Sequence, residues 1–297
     1  MRNKTIPYRI FMLINYSFLG ALVLLGLLPF LHMFALSFSD KASVLANEVY
    51  FLPKGFNIEN YVAILASKNY LLCFKNSIVR VVVGTIVNLV IIVLTAYPLA
   101  IGEKRLKGRN IIMWYFLFTM LFSGGMIPTF LLIRDLDLLN KFWVLILPGA
   151  VQVFSIVLMM NYMRGLPKEL FEAAIVDGAD HLTILFRVYF PISLPAVATL
   201  ALLSIVGHWN SWFDGMIYLR SVDKWPLQTY LQSILADLQN TSQKAGLTPD
   251  EVQRLARISD KSMMSAQMFV SMIPVLLVYP FLQKYFVTGI RLGAVKG

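Results

Sequence analysis

Long apolar stretches alternate with short polar ones along this 297-residue chain. An α-helix needs roughly 20 apolar residues to cross the hydrocarbon core of a bilayer. The fifth stretch is the least uniform, because Ser204, His208, Asn210 and Asp214 interrupt its second half. We therefore expect an all-α membrane protein with six transmembrane helices, at about Leu13–Leu36, Ile78–Ile101, Ile111–Ile133, Phe142–Met163, Ile192–Ile217 and Met263–Phe286.

The composition agrees with this pattern. Hydrophobic residues make up 58% of the chain and charged residues only 14%, whereas a soluble domain carries roughly 25% charge. The net charge of +10 does not indicate nucleic acid, because the bases form no stripe with interleaved aromatic residues. Many of them lie in short loops beside apolar spans, as is typical of loops that face a cytoplasmic leaflet. We expect the chain to be surrounded by membrane lipid and to bind no nucleic acid.

Basic residues near the span ends predict the orientation. The short loop 102–110 contains Lys104, Arg105, Lys107 and Arg109, whereas the bases Lys54 and Lys224 lie in long loops, which the positive-inside rule discounts. An even number of spans then puts both termini in the cytoplasm. The first apolar stretch is too long for the core of a cleaved signal peptide, so we interpret it as an uncleaved span. We expect a multi-pass protein of a bacterial cytoplasmic membrane.

The segment between spans four and five predicts a helix–turn–helix. Pro167 can begin the first helix, and Gly178 can adopt the left-handed conformation that closes it. Asp180 is a candidate N-cap for a second helix through Leu182–Tyr189, which Pro191 is expected to end.

One face of the first of these helices has the character of a docking surface. Small alanines permit close approach to a partner, and Glu172 could meet a base across an interface. The alternative is a pair of amphipathic helices that lie passively on the membrane. The candidate docking residues are Leu170, Phe171, Glu172, Ala173, Ala174, Asp177 and Gly178.

This segment resembles the EAA loop of ABC-importer permeases. The family pattern is matched by Glu172, Ala173, Ala174, Gly178 and Pro191, while Val and Phe at positions 188 and 190 replace the usual Ile and Leu.

Other stretches extend the resemblance over nearly the whole chain. Trp209-Asn210 and the Gly-Ala-Val-Lys-Gly ending are similar to motifs of carbohydrate-type permeases, the family of the maltose transporter's smaller permease. Residues 35–39 and 122–128 resemble the branch that handles complex or acidic oligosaccharides.

The resemblance implies a type I ABC-importer permease fold and a set of partners. These are a second homologous permease that completes a heterodimer, two ATPase subunits, an extracellular solute-binding protein and an oligosaccharide substrate. The chain contains no G-x-x-x-x-G-K-[ST] motif. ATP and Mg²⁺ would therefore be held by the ATPase subunits, this chain would bind no cofactor of its own, and it would not be an enzyme.

Two alternatives stay open. One is an ABC permease for a non-sugar solute. The other is an ion-coupled secondary transporter, which would require charged groups at mid-span, and the spans are nearly free of them. An intramembrane enzyme is not supported, because the histidines His32, His181 and His208 have no carboxylate beside them at metal-ligand spacing. We predict no catalytic residue and no metal site.

Polar side chains within apolar spans are candidates for a substrate pathway, since exposing them to lipid is costly. Sugars need hydrogen-bond partners for hydroxyls and flat aromatic faces for their C–H surfaces. The alternative is that such residues tie neighbouring helices together. The candidates are His208, Trp209, Asn210, Trp212, Ser123, Thr119 and Gln152.

These expectations divide the chain into three parts. Residues 1–73 form a cytoplasmic segment, the first span and an outer loop with a short helix near Tyr61–Leu65. Residues 74–286 form the transmembrane core, with the coupling loop 164–191 and an outer loop 218–262. That outer loop carries helices near Gln228–Leu238 and Asp250–Ile258, and residues 287–297 form a cytoplasmic tail.

Overall fold

The computed structural model describes residues 6–102, 106–242 and 261–294, and within these ranges the chain is helical with no β-strand. Short 3-10 turns occupy Phe142–Leu145, Leu147–Gly149 and Val222–Lys224, and a π-helical turn covers Leu185–Tyr189. The α-helices are α1 (Ile6–Ser37), α2 (Lys41–Leu45), α3 (Glu59–Ala66), α4 (Lys68–Ala100), α5 (Arg109–Leu121), α6 (Met126–Asp135), α7 (Val153–Arg164), α8 (Lys168–Val176), α9 (His181–Ile184), α10 (Phe190–Ile192), α11 (Leu194–Asn210), α12 (Phe213–Tyr218), α13 (Leu227–Ser242) and α14 (Lys261–Ala294).

Three helices in the described ranges are long and apolar enough to cross a membrane unaided: Pro7–Ser37, Lys68–Ala100 and Lys261–Val278. Three further candidates are pairs of helices bent at a short break, which gives up to six spans if each pair is one span. The prediction of an all-α membrane fold with several spans is therefore confirmed.

The third predicted span is not the continuous helix that its apolar pattern suggested. α5 ends at Leu121, α6 begins at Met126, and the two are bent by 112°. Gly125 occupies φ 86°, ψ 175°, a conformation that only glycine adopts without strain. The candidate residue Ser123 therefore lies in a break of the chain and not on a helix.

The fourth and fifth predicted spans are also interrupted. Residues 142–149 form 3-10 turns bent by 51° from α7, since Pro148 cannot donate to an α-helical ladder, and Gln152 lies in the break. The fifth span ends at Asn210 and not near residue 217. The hydroxyl of Ser211 there donates to the carboxylate of Asp214 (3.1 Å), a local hydrogen bond that competes with helix continuation.

The chain forms two compact units. The first combines Met1–Leu71 with Ser233–Ile273. Within it, the buried Tyr70 hydroxyl donates to the carbonyl of Gln267 (2.9 Å), which joins two segments that are distant in sequence. α3 and α13 confirm the helices predicted near residues 61–65 and 228–238. The helix predicted at 250–258 lies outside the described residues, as do Lys104, Arg105 and the last three residues.

The second unit comprises Leu72–Gln232 and Pro274–Gly297. Its largest apolar core joins Ile92 of α4 and Ile156 of α7 to Phe171 of α8, each at most 2% exposed. Between helices that lie in lipid, such packing is stabilised by van der Waals contact, because lipid tails are as apolar as the side chains themselves. The helix–turn–helix is therefore packed into the same core as the apolar helices.

Candidate functional site

The first helix of the helix–turn–helix begins and ends where the sequence predicted. α8 starts directly after Pro167 and is followed by Gly178 at φ 75°. The Gly178 N–H donates to the carbonyl of Ile175, and the Ala179 N–H donates to that of Ala174, both at 3.0 Å. This pair of bonds is a Schellman motif, which satisfies carbonyls left free at the helix end.

The second helix also starts as predicted. The Asp180 carboxylate accepts a hydrogen bond from the backbone N–H of Thr183 (3.1 Å). Side-chain and backbone hydrogen bonds from Thr183 lower the pKa of Asp180 below its usual value. The carboxylate is thus ionised near neutral pH and caps the helix in its charged form.

The prediction that Pro191 ends this helix was wrong. Helical structure continues from His181 to Ile192, and the chain bends by 80° only at Ser193. A π-helical turn at Leu185–Tyr189 precedes the proline. Such a turn changes the hydrogen-bond register, so a proline at position 191 does not interrupt a regular ladder.

The predicted docking residues divide between the core and the surface. Phe171 is 2% exposed, and Ala174 packs against the same core, so both hold α8 in place. The exposed positions are Glu172, Ala173 and Asp177, together with Ile175, Val176 and Gly178, while Leu170 is half-buried. Val176 is 87% exposed, which leaves an apolar side chain on a surface that also carries two acidic ones.

Sequence reasoning missed a contact that joins the loop to α4. The Tyr97 hydroxyl lies 3.0 Å from Nδ1 of His181, and the Tyr97 ring packs edge-on against Tyr189 at 5.3 Å between centroids. Tyr97 is 5% exposed. The helix–turn–helix is therefore attached to the Ala100 end of α4. The available signal in the sequence was a tyrosine near the end of an apolar span, but it did not identify His181 as the partner of Tyr97.

The predicted pathway residue His208 is enclosed between α4 and α11. Nδ2 of Asn88 donates to the Ser204 hydroxyl (3.0 Å) and lies 3.1 Å from Nε2 of His208. The imidazole packs directly on Gly84. Asn88, Ser204 and His208 are all buried. This polar cluster ties the two helices together, and His208 is 8% exposed in this conformation.

The other predicted pathway residues of the fifth span differ in exposure. Trp209 is 3% exposed and packs edge-on against Phe74, with ring centroids 5.8 Å apart. Asn210 and Trp212 are exposed. Trp212 accepts a hydrogen bond from the Thr229 hydroxyl at its backbone carbonyl (2.8 Å).

The remaining candidates lie elsewhere. Thr119 and Ser123 are exposed, and Gln152 accepts a hydrogen bond from the Ser155 hydroxyl (3.1 Å). Within the described ranges, no hydrogen bond or ring contact joins these three residues to the group at positions 208–212.

An ion pair formed by a buried arginine was the main feature that the sequence reasoning overlooked. Arg80 of α4 is 2% exposed and donates to both carboxylate oxygens of Asp214. It also donates to the backbone carbonyls of Ser211 and Leu145, each at 3.2 Å. One guanidinium therefore joins α4 to the end of α11 and to the first 3-10 turn. The expectation of nearly uncharged spans overlooked this arginine.

Residues 79–292 match the family described as "Binding-protein-dependent transport system inner membrane component". The chain belongs to this family. The family comprises ABC transporter permease subunits, which are transport components and not enzymes, and they reside in the inner membrane.

Relatives of this permease match almost end to end. Protein LplC of Bacillus subtilis (strain 168) is 38% identical over 99% of this chain and 98% of its own length. The "Polygalacturonan/rhamnogalacturonan transport system permease protein YtcP" of the same organism is 37% identical over 97% of this chain and 99% of its own.

Solved structures agree with the fold of the permease. A chain of "a bacterial ABC transporter involved in the import of the acidic polysaccharide alginate" is 35% identical, with a TM-score of 0.84 over 96% of this chain and 100% of that one. A chain of an alginate ABC transporter in complex with an alginate pentasaccharide-bound periplasmic protein has a TM-score of 0.55 at 13% identity, covering 91% and 92%, which shows a shared fold alone.

Proposed function

We propose that this permease imports oligosaccharides, of the acidic class, as one subunit of an ATP-driven complex. The match to the alginate importer chain, at 35% identity over 96% of this chain, is the observation that carries the substrate class. The polygalacturonan/rhamnogalacturonan permease at 37% identity supports it, since polygalacturonan is also an acidic polysaccharide. In this proposal a solute-binding protein delivers the substrate, and a second permease completes the heterodimer.

The conformational change driven by ATP hydrolysis would be transmitted to this chain through its helix–turn–helix. Two separate ATPase subunits, which hold ATP and Mg²⁺, would dock on the exposed face that includes Glu172, Ala173 and Asp177. The buried Phe171 and the Tyr97–His181 contact support this role, because they attach the loop firmly to α4. A rigidly attached loop can transmit a displacement to the apolar helices. Both termini and this loop then lie in the cytoplasm.

The docking role is tested by Glu172→Lys. Reversing this charge on the exposed face of α8 should abolish substrate-stimulated ATP hydrolysis in the reconstituted complex, while the permease pair still assembles. The matched control is Glu169→Lys, which makes the same charge change at another exposed position of α8. Stimulation that is unchanged in Glu172→Lys, or equally lost in the control, contradicts the docking site.

The substrate class needs a separate measurement. In the complex reconstituted with its binding protein, acidic oligosaccharides should raise ATP hydrolysis several-fold more than neutral ones of equal length. A hydrogen bond to a charged group such as a carboxylate contributes about 1.5–3 kcal/mol, which is roughly tenfold or more in affinity. Stronger stimulation by neutral sugars, or by a non-sugar solute, would overturn the assignment of the substrate class while leaving the importer itself intact.

The substrate would pass near the polar and aromatic residues of the fifth span. Asn210 and Trp212 are exposed and are the best placed of these to meet a sugar in the present conformation. His208 and Trp209 are less accessible to a sugar, because both are buried against α4. Thr119, Ser123 and Gln152 are retained as further candidates at the breaks and surfaces of the third and fourth spans.

A further inference from the structure

A groove between α5 and α7 has a charged end and an apolar floor. Its cavity of about 200 Å³ is lined by Arg109 and Arg164 at one end and by Met113 and Met160 further along the helices. Trp114 also lines it and is 73% exposed. Among the residues that the structure describes, those that line the cavity include no acidic side chain.

The two arginines differ in how they are held. Arg109 donates through Nε to the carbonyl of Leu99 (2.6 Å), and its Nη2 lies 3.6 Å from the Met160 sulfur. This fixes its guanidinium beside the Ala100 end of α4. Arg164, the last residue of α7, is exposed and makes no hydrogen bond or ion pair within the described ranges. Within the described part of the chain the groove thus presents two cations, and Arg164 has no hydrogen-bond or ion-pair partner there.

The position of the groove indicates the chemistry of its ligand. Arginines at the end of apolar helices lie at the level of lipid headgroups, and Trp is typical of the same interface. A guanidinium binds phosphate oxygens through paired N–H donors. The apolar floor would contact the beginning of acyl chains, which a free phosphate ion does not have. We propose that this groove binds the phosphate headgroup of an anionic phospholipid.

The proposal can be tested on the full-length protein. Native mass spectrometry after incubation with detergent micelles that contain phosphatidylglycerol and phosphatidylcholine in equal amounts should show preferential retention of phosphatidylglycerol. Arg164→Gln removes a guanidinium that would donate to the phosphate and should lower this retention about tenfold, the usual cost of losing a hydrogen bond to a charged group. The matched control is Lys107→Gln, which removes a charge from the loop that precedes Arg109 without lining the groove.

A second variant tests the shape of the site without a change of charge. Met113→Trp would fill the apolar floor and should reduce phosphatidylglycerol retention while both arginines stay in place. Equal loss in Lys107→Gln would show that only general surface charge is involved and would overturn the site. Competition by inorganic phosphate as effective as by the lipid would also overturn it, as would a cross-link from position 114 to a partner permease that covers the groove.

Discussion

At the scale of single residues, one glycine explains how α4 and α11 approach each other. A Cβ atom at Gly84 would lie 2.6 Å from Cε1 and 2.8 Å from Cδ2 of the His208 ring, closer than side chains can pack. Gly84→Ala should therefore destabilise the protein by about 1–3 kcal/mol, the usual cost of overpacking. The measurement is the thermal unfolding midpoint of the purified protein.

Gly207 provides the matched control on α11. Nothing lies within 4 Å of a Cβ built there, so Gly207→Ala should be neutral or stabilising by up to about 1 kcal/mol. The reason for the Gly84 effect can be checked in the His208→Ala background, where the ring is absent. If Gly84→Ala costs as much there as in the parent chain, the contact with His208 is not its cause.

The Arg80–Asp214 pair shows what a sequence leaves undetermined at this scale. Both residues were visible as charges within apolar stretches, but their partnership depends on how α4 meets the end of α11. Burying an ion pair costs much of what its attraction returns, so the pair is weak grounds for stability. Its geometry is instead suited to fixing the position of α4 relative to the end of α11 and the first 3-10 turn. The same guanidinium also donates to the backbone carbonyls of Ser211 and Leu145.

At the scale of elements, the Asp180 cap defines the start of the second helix of the helix–turn–helix. Asp180→Ala removes the acceptor for the Thr183 N–H and should increase hydrogen exchange over residues 181–192. α8 is an internal control, because its Schellman closure does not involve the carboxylate. An equal increase in hydrogen exchange in α8 and in residues 181–192 of the variant would mean that the cap does not specifically protect the second helix.

The pH dependence of this cap follows from the direction of the pKa shift. Hydrogen bonds in the folded state depress the pKa of Asp180, so the cap is fully present above the unfolded value of about 3.9. It is lost only as the pH falls through the lower, folded-state pKa. The protection of residues 181–192 that depends on Asp180 should therefore be constant between neutral pH and about pH 5.

Local signals predicted the helix–turn–helix better than they predicted the spans. Pro167, Gly178 and Asp180 each act within a few residues of their own position, so their roles were evident without the fold. The 112° bend near Gly125 was not evident from the sequence, because a short polar break within an apolar stretch is equally compatible with a continuous span. The π-helical turn is associated with Tyr189 packing on Tyr97, a contact 92 positions away in the sequence.

At the scale of the whole molecule, the proposed function depends on which end of the second unit faces the cytoplasm. From Cys73 to Ala100, α4 rises about 40 Å, enough to span a bilayer core. Lys224 lies near the first end, since Cys73 donates to the carbonyl of Val222 (3.3 Å). Lys107 follows the other end, where the helix–turn–helix is attached through Tyr97. The two lysines therefore report on opposite ends of α4.

The natural cysteine makes this orientation directly measurable. Cys73 is buried and should not react with a membrane-impermeant thiol reagent, so single cysteines can be introduced without removing it. In intact cells lacking an outer-membrane barrier, Lys224→Cys should be labelled, whereas Lys107→Cys should be labelled only after the membrane is permeabilised. The parent chain is the control for Cys73. Labelling of Lys107→Cys in intact cells would place the helix–turn–helix outside, where no ATPase could reach Glu172, and the proposed coupling would be wrong.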